Sequence, residues 1–222
     1  MYTNEPTHSM SSTARPRKYE YRPLREGPNN IRLVQILPGT GNVGIVCQVF
    51  QYTLRNDKAF GLYESLSYVW GNSDTPHSIL IRNAEDSEYR SFTITHNLYT
   101  ALLRLRDPDL PRTFWIDAIC INQDDLQERA MQVTIMARIY AYATSVSVWL
   151  GEADDDSSAV FDLLQDILAQ RSKHAPGWAI SIESKVAPAA TGIQALLDRA
   201  WFRRAWVYAP SFLRHQKMLT TN

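Results

Sequence analysis

The sequence predicts an α/β fold, a mostly parallel sheet flanked by helices and preceded by a β-hairpin extension. Three observations carry that expectation. Residues 114–121, FWIDAICI, are almost continuously apolar, the pattern of a strand covered on both faces. Leu126, Ala130, Val133, Ala137 and Tyr140 then recur at helical spacing. Residues 145–150, SVSVWL, form a second short apolar run ended by Gly151, so that strand, helix and strand follow one another as in a βαβ unit.

Taken in order, residues 1–18 are rich in Pro, Ser, Thr and Asn, and read as a disordered leader before a domain spanning 19–207. Residues 31–37 are β-branched and aliphatic, and Pro38, Gly39, Gly41 and Asn42 supply a turn before 43–52, which predicts a hairpin. Residues 63–71, YESLSYVWG, form an aromatic-rich strand closed by Gly71 and Asn72. Residues 78–82 and 91–95 suggest a second hairpin. From Asn97 the period becomes helical, with Leu98, Ala101, Leu102 and Leu105 on one face and Pro108 just past the end. Asp124 and Gln127 make a capping box for a helix over 124–143. Past Gly151, residues 151–198 read as a loop-and-helix insertion: an acidic loop at 152–156, Ser157 as N-cap, and a helix over 159–170. An aromatic cluster, Trp201, Phe202 and Trp206, precedes an atypical tail over 208–222.

The 222 residues are 45% hydrophobic and 21% charged, which excludes wholesale disorder and coiled coil. Cys47 and Cys120 stand in apolar settings, as buried thiols of a reducing compartment would. There is no apolar leader and no uncharged apolar run of about 18 residues, so a cytoplasmic protein without a membrane span is expected. Lys plus Arg and Asp plus Glu balance at 23 each, yet the acidic residues concentrate in 107–166 and the basic ones in 167–222. Two halves of one domain attracting each other explains this better than an anionic partner. The basic residues are dispersed and no nucleic-acid motif accompanies them.

Polar residues worth weighing surround the first strand of the βαβ unit: Asp117, Asn122, Gln123, Asp124, Asp125, Glu128 and Arg129. Ligands of open parallel sheets bind at the carboxyl ends of strands, where this cluster falls. The same residues also have structural uses: Asp117 bonding a backbone group or a Trp indole, Asn122 in a turn, Asp124 capping, Glu128 and Arg129 solvated. No catalytic set emerges; Asp117 and Glu128 are the carboxylates nominated. Two cysteines and scattered histidines (His8, His77, His96, His174, His215) suggest no metal site, and Cys120, with no cationic helper nearby in sequence, reads as core. Trp70, Trp115, Trp149 and Trp206 are expected to be structural.

Four blocks together resemble the heterokaryon incompatibility (HET) domain of filamentous fungi: residues 63–71, 114–133 (FWIDAICINQDDLQERAMQV), 136–151 (MARIYAYATSVSVWLG) and 199–207 (RAWFRRAWV). The positions that carry the likeness are Tyr68, Trp70, Gly71, Trp115, Asp117, Cys120, Asn122, Gln123, Glu128, Arg129, Trp149, Gly151, Trp201, Arg203 and Trp206. The resemblance implies a cell-death effector of fungal non-self recognition that acts through protein partners or self-association. HET domains are in turn distantly similar to TIR domains, which implies a flavodoxin-like sheet with 114–121 and 145–150 as adjacent parallel strands. Some TIR domains cleave NAD⁺ with a glutamate, so NAD⁺ as substrate, without a bound cofactor, is the second implication. HET domains usually continue the last block with Gln-Glu, whereas this chain has Tyr208, Ala209 and Pro210. That departure brings in a third reading, a truncated, inactive remnant or decoy.

Overall fold

A computed structural model describes residues 16–41, 43–54, 62–152, 160, 163, 190–203 and 216–219. Segments rich in β-branched and aromatic residues form strands β1 (Asn30–Ile36), β2 (Val46–Thr53), β3 (Glu64–Tyr68), β4 (His77–Asn83), β5 (Arg90–Ile94), β6 (Arg112–Trp115) and β7 (Val146–Trp149). A further strand, β8 (Gln216–Leu219), pairs parallel with β7. The helices are α1 (His96–Leu105), α2 (Asp117–Cys120) and α3 (Leu126–Tyr142); residues 190–197 are also helical and Ala200–Arg203 form a 3₁₀ turn. The strands make one sheet in the order β5-β4-β2-β1-β6-β3-β7-β8.

The α/β class and both hairpins match the expectation from sequence. Antiparallel pairing sets Ile36 opposite Cys47 in the first hairpin and Ile81 opposite Arg90 in the second. The sheet is nevertheless mixed, not mostly parallel. β1 also pairs antiparallel with β6, Val34 opposite Phe114, whereas β2–β4, β6–β3, β3–β7 and β7–β8 are parallel. The first hairpin is therefore no appendage. β1 is buried at six of its seven positions, and a strand so placed must satisfy its backbone polar groups on both edges.

The runs at 114–121 and 145–150 are not neighbours, because β3 lies between β6 and β7 and pairs with both, Ser65 facing Trp115 on one side and Val146 on the other. Nor is 114–121 one strand. It leaves the sheet after Trp115, and Ile116 accepts backbone hydrogen bonds from Ile119 and Cys120 to start α2. A buried apolar run reads alike as strand or helix, so periodicity could not have located this break.

Helix α3 is docked through polar groups. Glu128, Gln132 and Ile139 point inward, with the Gln132 amide donating to the Asn30 carbonyl at 2.9 Å. Tyr63 donates to the Ile139 carbonyl at 2.7 Å and Tyr140 to Leu66 O at 3.3 Å, which ties the helix to β3. Of the stripe expected to be buried, only Tyr140 is; Leu126, Ala130, Val133 and Ala137 face outward. The cap is Asp125, whose carboxylate accepts from the Gln127 and Glu128 amides, not Asp124. Trp115, Trp149, Tyr63, Tyr68 and Phe114 fill the centre of the core. No helix among the described residues is long and apolar enough to cross a membrane.

Candidate functional site

The carboxyl ends of β3 and β6 open into a cleft of about 740 Å³. Tyr68 and Trp70 reach it from β3, and Ala118, Asn122, Gln123 and Asp124 from the segment after β6. Residues 18–21, the end of β5 (Phe92 to Ile94) and the start of α1 (Thr95, Leu98) complete it. The N-terminal segment is held there by backbone bonds from Tyr19 to Ser91 and from Ser91 to Arg17.

Five aromatic residues line it: Tyr19, Tyr21, Tyr68, Trp70 and Phe92. Tyr19, Tyr21 and Phe92 pack edge to face, with centroids 5.1, 5.8 and 6.1 Å apart. The Tyr19 hydroxyl donates to Asn83 Oδ1 at 2.7 Å and that of Tyr21 to the Ile119 carbonyl at 3.0 Å. Burial pushes the Tyr19 phenol up to about 12 and that of Tyr21 well above its usual range, so both stay neutral. Trp70 is 42% exposed, and its Nε1 donates to Asp117 Oδ2 at 2.9 Å. The Trp70 indole is thus anchored at one edge by Asp117 and open to the cleft.

Asp117 is buried, with Oδ1 accepting from the Ala118 amide at 2.8 Å and its carbonyl accepting from Gln123 Nε2 at 3.0 Å. It positions the Trp70 indole and the 122–124 loop. Asn122 Oδ1 accepts from the Asp124 amide at 3.3 Å, as expected of a turn residue. Glu128 is not solvated. Its oxygens accept from Arg32 Nη1 at 2.5 Å and Nη2 at 2.9 Å, and Oε1 also accepts from the Asn122 amide at 2.7 Å. Arg32 donates further to the Cys120 and Arg22 carbonyls at 3.1 and 2.7 Å. This buried network fastens the N-terminal segment, β1, α2 and the loop beside the cleft to one another.

The other motif positions hold the sheet together. Trp115 and Cys120 are core residues; burial pushes the thiols of Cys120 and Cys47 up to about 12, so neither is a nucleophile at neutral pH. Trp149 Nε1 donates to Asn97 Oδ1 at 2.8 Å, and Asn97 Nδ2 to the Val69 carbonyl at 2.5 Å, a clamp of α1 onto β3 and β7. Gly71 stands at φ 75°, a conformation that L side chains rarely adopt, and a Cβ there would also press on Asn97 Cβ at 3.2 Å. Trp201 is buried and donates to Ser67 Oγ at 2.9 Å, and Gly151 follows β7 at φ 101°. Arg129 and Arg203 are exposed, and Trp206 lies outside the described residues. Arg32, Asn97 and the Tyr19–Tyr21–Phe92 cluster had no sequence motif to announce them. An arginine inside the apolar run of β1 was the one available signal.

Such a sheet defines an α/β domain whose cleft lies at the carboxyl ends of its parallel strands, the edge where ligands of open α/β sheets bind. The chain belongs to the HET family: the family described as "Heterokaryon incompatibility protein (HET)" matches residues 63–209. It is 36% identical over 158 residues to Heterokaryon incompatibility protein 6, OR allele, of Neurospora crassa, a match covering 67% of this chain and 23% of that protein. The chain thus spans about a quarter of the length of this relative. No solved structure matches the chain at a significant level.

Proposed function

We propose that the chain is the effector module of a heterokaryon incompatibility protein, acting in fungal non-self recognition and cell death through contact with another protein. Its family and the Neurospora relative support the biological role. The observation that carries the mode of action is the outward face of α3. Leu126 is 67% and Val133 56% exposed, and Ala130 and Ala137 lie between and beyond them on the same face. A solvated helix face is ordinarily polar, and a contiguous apolar one is the surface a protein partner covers. Regulated expression of the chain in a filamentous fungus tests the role: growth arrest with loss of viability is expected, and unimpaired growth at high expression counts against it.

A second reading, cleavage of NAD⁺ of the TIR kind, draws support from one feature of the sheet. The four parallel strands run β6-β3-β7-β8, so the first of them in sequence, β3, is interior and its predecessor in the order is the second. Doubly wound sheets share this order of their first three strands, and they take ligands at the carboxyl edge near the first strand. The nominated carboxylates are otherwise engaged, Asp117 with Trp70 and the Ala118 amide, Glu128 with Arg32 and the Asn122 amide. Nicotinamide release from NAD⁺ measures this reading directly. No turnover is expected from the chain as it stands, and turnover appearing in a Tyr208→Gln, Ala209→Glu variant would favour the enzyme.

A further inference from the structure

We infer that the cleft at the carboxyl ends of β3 and β6 binds a small planar aromatic cation that carries no phosphate, an inference independent of the effector role and an alternative to NAD⁺, whose pyrophosphate it excludes from this edge. Its volume, about 740 Å³, is that of a site for a compound of several fused or linked rings. Five of its seventeen lining residues carry aromatic rings, and the polar atoms of three of them are spent elsewhere: Tyr19 on Asn83, Tyr21 on Ile119, Trp70 on Asp117. What they present to a ligand is therefore π-face and ring edge. The π-face carries negative potential and attracts a cation, the indole most strongly of the three ring types.

Carboxylates outnumber cations among the lining residues, Glu20 and Asp124 against Lys18. Asp124 is exposed at its mouth and makes no side-chain hydrogen bond or ion pair with any described residue, and the Asp117 carboxylate lies at the Nε1 edge of the Trp70 indole. Glu20 also lines the cleft, paired with Arg90 at 3.4 Å, and Lys18 is the one cation among the lining residues. Arg32 lies 4.9 Å from the Tyr21 centroid, but its charge is neutralised by Glu128 within the core. A phosphate would meet a free carboxylate here, and no glycine-rich turn with converging amides lines the cleft to receive one. A flat cation would stack on the rings with its charge toward Asp124.

Fluorescence anisotropy with two dyes built on three fused rings, cationic proflavine and anionic fluorescein, tests the inference on the full chain. Proflavine is expected to bind at least about tenfold more tightly, with the preference reduced severalfold in Asp124→Asn and binding weakened about tenfold in Trp70→Ala. Asp124 is exposed, so that variant keeps the fold and decides the matter even if Trp70→Ala is perturbed. Equal affinity for the two dyes, a preference for fluorescein, no binding of proflavine, or proflavine binding indifferent to Asp124→Asn would each overturn the inference.

Discussion

Removal of the Glu128 carboxylate should unfold the domain more readily than any exposed charge change. The Arg32 and Glu128 side chains are 2% and 9% exposed, and they meet through two nitrogen–oxygen contacts of 2.5 and 2.9 Å. With charge centres about 4 Å apart and an effective dielectric near 20, their attraction is about 4 kcal/mol. Glu128→Ala leaves the guanidinium in the core with only the Cys120 and Arg22 carbonyls, and takes the acceptor from the Asn122 amide. Breaking such a pair from one side costs about 3–5 kcal/mol, a large part of a domain stability of about 5–15 kcal/mol. At about 2–4 °C per kcal/mol for a chain of this size, the Tm should fall by roughly 6–20 °C. The double variant Arg32→Met, Glu128→Leu should recover most of that loss, because no charge is then stranded. Urea and thermal denaturation followed by circular dichroism measure both. A single variant within about 1 kcal/mol of the natural chain, the behaviour of an exposed pair, would refute the reasoning.

Trp115→Ala removes a ring with no solvent exposure and should cost about 3–5 kcal/mol, checked by the same denaturation; a smaller loss would mean that the core closes over the gap. Asp117→Ala releases an indole that water can reach, so about 1 kcal/mol is expected, together with a shift in tryptophan emission as Trp70 loosens. Cys47 and Cys120 should resist a thiol reagent at pH 8 until urea is added, and rapid native labelling would contradict their burial. Their native pKa values, about 12 against an ordinary 9.0, mean that the native state holds its thiol protons more tightly than the unfolded chain. Their contribution to stability is therefore full below about pH 9 and lost as pH rises toward 12, which denaturation at pH 8 and pH 10.5 would reveal.

Local pattern announced the elements whose burial is one-sided or whose turns are strongly marked. Both hairpins, β3, α1 and β7 lie within a few residues of where alternation, glycine turns and Pro108 put them. Pairing between distant strands left no such trace, because each backbone edge is the same whatever the side chains. Hence β3 between β6 and β7, and β1 against β6, came only with the structure. The helix α3 misled for a different reason. Its inner face is held by Glu128 and Gln132 through Arg32 and Asn30, partners about a hundred residues away, so its apolar periodicity marked the outer face. The site was half legible: Asp117, Asn122 and Gln123 do gather at the carboxyl edge with Tyr68 and Trp70, but the rest of the aromatic lining comes from Tyr19, Tyr21 and Phe92, which no motif joins to them.

The claim that this domain acts through the outward face of α3 is tested most directly by growth of a filamentous fungus expressing either the natural chain or a Leu126→Glu, Val133→Glu variant at equal level. Both side chains are exposed, so the variant should melt within about 0.5 kcal/mol per site of the natural chain. The account predicts growth arrest with the natural chain and normal growth with the folded variant. Arrest by the variant as complete as that by the natural chain would contradict it.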